Sequence, residues 1–135
     1  MGRDARCMAL LAEGEELLDR FGAALPDPDS HRRTARRVLE RLEGERGVYL
    51  AAACQCLHIA RLLHREERPT PRTVLLGDYF QSRFTALLLR LDAPWLQDAF
   101  AGFLAQDAAR AAAGLPFDSA AFADLAGELA GRVTP

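Results

Sequence analysis

Residues 48–65 read VYLAAACQCLHIARLLHR, and this stretch decides the fold. Its apolar side chains fall on nearly every face of a helix, which is typical of a helix at the centre of a protein. We therefore predict a central helix from about Val48 to Arg65. His58 and His64 lie six positions apart, so their side chains leave this helix in different directions. A metal ion shared by these two histidines is not expected.

The rest of the chain also has the apolar periodicity of helices, and no segment alternates as a strand would. Besides the central helix, we predict helices over residues 4–24, from Ser30 to about Leu42, from about Arg72 to Leu91, from Asp92 to Gly114, and from Asp118 or Ser119 to about Ala130. Gly44 and Gly47 are expected to close the second helix. Asp92 is expected to cap the fifth, with Pro94 in its first turn. The prediction is an all-α fold of about six helices.

Composition limits the possible classes of protein. The chain has 135 residues, a length that predicts one domain over residues 1–135. The formal net charge of -2 gives no reason to expect a nucleic-acid partner. No apolar run is long enough to span a bilayer, and the first residues lack a signal-peptide pattern, so we expect a cytoplasmic protein. The three cysteines, Cys7, Cys54 and Cys56, are expected to be buried free thiols.

Two motifs follow each other between Leu57 and Leu89. The first is LHIARLLHRE at residues 57–66, and the second is TVLLGDYF at residues 73–80, with a proline-containing loop between them. This order resembles the core of the trans-polyprenyl diphosphate synthases. In that family a central helix with an Ile-His-x-x-x-Leu-Leu-His pattern leads into Asp-Asp-x-x-Asp, and the next helix carries Val-Leu-x-Gly-Asp followed by Tyr or Phe. The pair of histidines and the Gly-Asp-Tyr-Phe step are identical in this chain.

The chain departs from that family at the residues that bind metal. The family's aspartates hold Mg²⁺ against the substrate diphosphate, but their positions are taken here by Arg65 and Glu66, followed by Glu67 and Arg68. An arginine repels Mg²⁺, and adjacent glutamates point about 100° apart on a helix. The counterpart of the family's second Asp-rich motif would lie beyond residue 135. We therefore expect no catalytic residue, metal site or cofactor in this chain.

A second departure concerns the hydrocarbon tunnel of the synthases. The positions that line it one turn before the aspartates correspond to Ala60 and Arg61. A charged side chain in an apolar tunnel is costly unless it is paired. The resemblance thus implies a truncated half of the synthase fold without a product tunnel of its own.

Short helical chains without Asp-rich motifs form the small subunit of bacterial heteromeric hexaprenyl or heptaprenyl diphosphate synthases. Resemblance to this class implies a non-catalytic, regulatory subunit. The implied partner is a larger catalytic subunit with both Asp-rich motifs and bound Mg²⁺. The implied role is in making the side chain of menaquinone.

The fourth helix is the predicted contact with the partner. Synthases of this family dimerise through the helix that carries Gly-Asp, and its counterpart here has too many apolar residues for a simple surface helix. The candidates for the partner interface and tunnel are Leu75, Tyr79, Phe80, Arg83, Phe84, Leu87 and Leu88. Alternatively, these side chains belong to the chain's own core. Without a partner, the same surface could form a homodimer.

Three polar residues are predicted to have structural roles. These are His58, His64 and Asp78, and Asp78 is expected to be buried and bonded to an arginine or to a hydroxyl such as that of Thr73. Two other functions stay open. One is a stand-alone helical interaction module unrelated to isoprenoids, and the other is a divergent enzyme that uses Glu66, Glu67 and Asp78.

Overall fold

A computed structural model describes residues 2–134, and this part of the chain is all-α. Its helices are α1 (Arg3–Arg20), α2 (Ser30–Leu39), α3 (Gly44–His64), α4 (Pro71–Leu89), α5 (Pro94–Ala112) and α6 (Ser119–Ala130). The six predicted helices are therefore confirmed. No strand occurs in the described residues.

Helix α3 occupies the centre, as its composition predicts. Every residue from Leu50 to Ala60 is buried. Helices α1, α2, α4 and α6 pack directly against it. Helix α5 joins the core through Phe100, which lies 5.2 Å from Phe84 of α4 between ring centroids. Because α3 is enclosed on nearly all sides, functional side chains come from its ends and from the helices around it.

Several helix ends follow the expected local chemistry. Pro71 opens α4 behind a capping box formed by Thr70 and Thr73. The Asp118 side chain accepts a hydrogen bond from the backbone N–H of Ala121 at 2.9 Å, which starts α6. Gly114, with a φ of 75°, follows the end of α5 as predicted.

Other predicted ends are wrong. Helix α1 stops at Arg20 because Gly22 adopts a φ of 65° and the N–H of Ala23 bonds back to Leu18 at 2.9 Å. Asp92 does not cap α5; the cap position is Ala93, and Asp92 has a φ of 48°.

The predicted connection between the second and third helices is also wrong. Helix α2 ends at Leu39, and Gly44, with a φ of 76°, opens α3 instead of closing α2. Gly47 lies inside α3, where a Cβ atom would stand 2.1 Å from the carbonyl oxygen of Leu42. This glycine therefore allows the connecting segment to cross close over the start of α3.

Candidate functional site

The two motifs meet at the contact between α3 and α4. Nε2 of His64, in the last turn of α3, lies 3.0 Å from Oδ1 of Asp78 on α4. Asp78 was predicted to be buried, but its side chain is 62% exposed and its partner is this histidine. Thr73, the predicted alternative partner, is instead bonded within the cap of α4. Asp78 stays exposed because it lies at the edge of the contact between α4 and α3.

Gly77 makes this contact possible. A Cβ atom on Gly77 would lie 2.4 Å from Cδ2 of the His64 ring, which is closer than such atoms approach. Any larger residue would push the ring away from Asp78. The Gly-Asp step thus provides both the space for the imidazole and the carboxylate beside it.

A buried carboxylate holds two arginines near the end of α3. Oδ2 of Asp107, on α5, lies 2.9 Å from Nε of Arg61, and its Oδ1 lies 3.4 Å from Nε of Arg65. The Asp107 side chain is only 1% exposed. Arg65 also donates to the carbonyl oxygen of Leu115. Arg61 and Arg65 therefore attach α5 to α3, and sequence inspection gave no sign of this, since Asp107 lies far along the chain.

The positions that hold metal in the synthases have a different environment here. Arg65 is the C-cap residue of α3, and Glu66 follows it outside the helix, while Glu67 and Arg68 are exposed. Within residues 2–134, no three His, Cys, Asp or Glu side chains are grouped as metal ligands would be.

The predicted partner residues of α4 divide into two sets. Phe80, Phe84, Leu87 and Leu88 are buried in the chain's own core, as the alternative prediction has it. Leu75 is 67% exposed, and Tyr79 and Arg83 are half-buried. Of the predicted interface residues on α4, only Leu75, Tyr79 and Arg83 are accessible to a partner.

Leu75 and Tyr79 of this second set border an open apolar cleft, which we call the α1–α4 cleft. It has a volume of about 690 Å³. Its walls include Leu17 and Phe21 from the end of α1 and Arg72, Leu75, Leu76 and Tyr79 from α4. The sequence pattern predicts Leu75 and Tyr79 as interface residues but gives no indication of the α1 wall, because the two helices are far apart in the chain.

Charged groups lie at both ends of the cleft. The Arg72 guanidinium lies over the Phe21 ring, 5.5 Å from its centroid, and Nη1 is 3.5 Å from the Phe21 carbonyl oxygen. At Tyr79, burial and then the nearby Glu13 carboxylate raise the pKa of the phenol. The cleft thus has the Arg72 cation at one end, while Glu13 and Arg83 both act on the Tyr79 phenol at the other.

A polar layer lies between α2 and α3, away from this cleft. Nδ1 of His58 is 2.9 Å from Oγ1 of Thr34, and Nδ1 of His31 is 3.0 Å from Nε2 of Gln55. All four side chains are buried. The structural role predicted for His58 therefore has a definite partner, whereas His31, Thr34 and Gln55 were missed. The sequence feature that could have indicated them is the spacing of three between polar residues on an otherwise apolar face: His31 and Thr34 on α2, and Gln55 and His58 on α3.

The cysteine prediction is confirmed. Cys7, Cys54 and Cys56 are free and buried. Burial raises the pKa of Cys7 to about 11 and that of Cys56 to about 12, so both stay protonated and unreactive.

Comparisons with protein-family models, with curated proteins and with solved structures found no match to this chain. No helix within residues 2–134 is both long and apolar enough to cross a bilayer.

Proposed function

We propose that this chain is the regulatory subunit of a heteromeric polyprenyl diphosphate synthase. Its partner would be a larger cytoplasmic subunit that has both Asp-rich motifs and binds Mg²⁺. The complex would make the prenyl side chain of menaquinone. In this proposal the small chain contacts the catalytic subunit through α4 and helps to set product length.

One observation carries the proposal: the two motifs of the resemblance pack against each other. His64 and Asp78 come from different motifs and lie 3.0 Å apart, over a glycine that leaves room for the ring. Helices α3 and α4 are consecutive and pack along each other, and these two side chains are part of that packing. The contact supports reading the two motifs as one unit.

The proposal assigns no catalysis to this chain alone. Mg²⁺ binding needs acidic oxygen ligands that converge. Arg65 instead places a cation at the end of α3, where the buried carboxylate of Asp107 pairs with it. The catalytic metal and the reacting diphosphates would therefore belong to the partner.

The accessible part of α4 is the proposed contact. Leu75 presents an apolar side chain to solvent, with Tyr79 and Arg83 following on the same helix. Exposed apolar residues near an aromatic and an arginine are typical of protein interfaces. Phe80 and Phe84 would act behind them as rigid core support. Leu75 and Tyr79 would thus close or narrow the elongation tunnel of the partner.

A prenyl-transfer assay tests the proposal. Farnesyl and isopentenyl diphosphates with Mg²⁺ are given to this chain, to a candidate large subunit with both Asp-rich motifs, and to the mixture. We expect activity, or a longer product, only in the mixture. In the mixture, Leu75→Ala should change the product-length distribution, while Leu89→Ala, an exposed leucine near the other end of α4, should not.

Other outcomes would contradict the proposal. Activity of this chain alone would favour a divergent enzyme that uses Glu66, Glu67 and Asp78. No activity in the mixture and no co-elution of the two chains would favour a helical interaction module unrelated to isoprenoids.

A further inference from the structure

The α1–α4 cleft has the size and lining of a ligand site. Its volume of about 690 Å³ falls within the usual range of small-molecule pockets, about 300–1,000 Å³. The side chains of Leu17, Phe21, Leu75 and Tyr79 give it mainly apolar walls. Leu75 is 67% exposed to water and Phe21 is 41% exposed. Covering them with an apolar chain would be favourable, because it removes hydrocarbon surface from water.

Arg72 places a positive charge at one end of the cleft. It forms no ion pair with any carboxylate of residues 2–134. Its nearest contacts are the Phe21 ring and a long approach to the Phe21 carbonyl oxygen. A guanidinium in this position can accept a carboxylate or phosphate oxygen as an additional partner.

The Tyr79 end of the cleft has charges of both signs beside it. The Glu13 carboxylate and the Arg83 guanidinium both act on the Tyr79 phenol, with opposite effects on its pKa. Arg72 is the arginine that lines the cleft, so it is the group that would hold an anion, and the apolar walls would take the rest of the ligand.

We propose that the α1–α4 cleft binds a single-chain anionic amphiphile. The anionic head would contact Arg72, and the hydrocarbon chain would cover Leu17, Phe21, Leu75 and Tyr79. Prenyl diphosphates and fatty acids share this chemistry. Binding needs this chain alone, so the inference stands apart from assembly with a catalytic subunit. If the proposed function also holds, the cleft would hold product or substrate beside the partner.

Calorimetric titration of the purified full chain tests the site. The probes are geranylgeranyl diphosphate, palmitate and the uncharged geranylgeraniol, each below the concentration at which it aggregates. We expect saturable binding of at least one anionic probe with a stoichiometry near one. The anionic prenyl probe should bind about tenfold more tightly than the alcohol, because a charge-assisted hydrogen bond is lost with the diphosphate.

Three variants locate the binding. Leu75→Glu puts a charge on the apolar wall and should weaken binding at least tenfold, since the ligand would then cover a carboxylate instead of exposed leucine surface. Leu89→Glu is the matched control: it lies on the same helix, is similarly exposed, and is about 21 Å farther along the axis. It should bind as the wild type does. Arg72→Gln should weaken the anionic probes about tenfold and leave geranylgeraniol unchanged.

The relative affinities of the probes show which class of amphiphile the cleft prefers. Tighter binding of geranylgeranyl diphosphate than of palmitate identifies an isoprenoid site, and the reverse order identifies a fatty-acid site. Absence of binding by every probe overturns the proposal, as does equal weakening by Leu75→Glu and Leu89→Glu. A failure here with an active mixture in the prenyl-transfer assay would leave the proposed function intact.

Discussion

His31 and His58 are buried where a proton would be hard to accommodate. The Gln55 amide can donate to Nδ1 of His31, an arrangement that requires the neutral ring. Nε2 of His58 has no hydrogen-bond partner in residues 2–134 and lies among the rings of Phe117 and Phe122. Burial lowers the pKa of each histidine to about 4. Both rings are therefore neutral in the folded chain near neutral pH.

This burial predicts acid destabilisation. An unfolded histidine has a pKa of about 6.5, so between about pH 6.5 and 4 the unfolded chain binds more protons than the folded one. The free energy of unfolding should fall as pH falls through this window, by at most roughly 3 kcal/mol for each histidine. Urea denaturation at a series of pH values measures the slope.

Two observations would check the cause. NMR signals of the His31 and His58 rings should titrate near pH 4 in the folded chain. The variant His31→Gln should show a shallower slope than the wild type over the same window, whatever its absolute stability. A wild-type stability that does not change between about pH 6.5 and 4 would contradict the account.

The sequence shows which helix is central more clearly than it shows which face of each outer helix contacts a neighbouring helix. The apolar stretch of α3 predicts burial on all sides, and every residue from Leu50 to Ala60 is buried. Helix α4 is also rich in apolar residues, but the pattern cannot tell Phe80 from Leu75. The difference comes from distant partners: Gly14 of α1 packs against Phe80, whereas Leu75 stays 67% exposed.

The polar residues of α3 also contact helices that the sequence does not identify. His58 and His64 were expected to point in different directions, and they contact α2 and α4 respectively. The partner of Arg61 and Arg65 could not be predicted, because Asp107 is more than forty residues away and only tertiary packing brings it near. The spacing of residues along one helix predicts the directions in which their side chains point. It does not predict which other helix those side chains contact.

Asp107 is the principal polar link between α5 and α3. Few other residues of α5 are buried, namely Leu96 and Phe100. Breaking a buried ion pair leaves the other charges without compensation and costs several kcal/mol. We expect Asp107→Asn to lower the free energy of unfolding by roughly 3 kcal/mol. Asp98→Asn, an exposed position on the same helix, should change it by less than about 0.5 kcal/mol.

Trp95 makes the effect on α5 observable. It is the single tryptophan of the chain and lies in the first turn of α5. In Asp107→Asn, its fluorescence should change at lower urea concentration than the helical circular dichroism signal, because α5 detaches first. If Trp95 fluorescence changes at the same urea concentration in Asp107→Asn and in Asp98→Asn, the contacts of Asp107 with Arg61 and Arg65 do not hold α5 in place.

Across the whole molecule, the polar layer, the arginine pair and the cleft lie in different places around α3. The polar layer is between α2 and α3, the Asp107 contacts join α5 to α3, and the cleft lies between α1 and α4. Variants that test ligand or partner binding at the cleft can therefore be made without disturbing the other two sites. The exposed Leu75 and Leu89 are the safest positions for that purpose.

The three buried cysteines report whether the helices unfold as one unit. Cys7 is on α1, while Cys54 and Cys56 are on α3, and burial raises the pKa of each thiol. In the native chain at about pH 8, a thiol reagent should modify none of them, because buried protonated thiols are poor nucleophiles. In moderate urea, mass spectrometry should find all three modified at one common rate, as expected for two-state opening. In fully denaturing urea their rates should also agree, which controls for intrinsic reactivity. Earlier modification of Cys7 alone would instead show that α1 leaves the core separately, and the wall of the cleft with it.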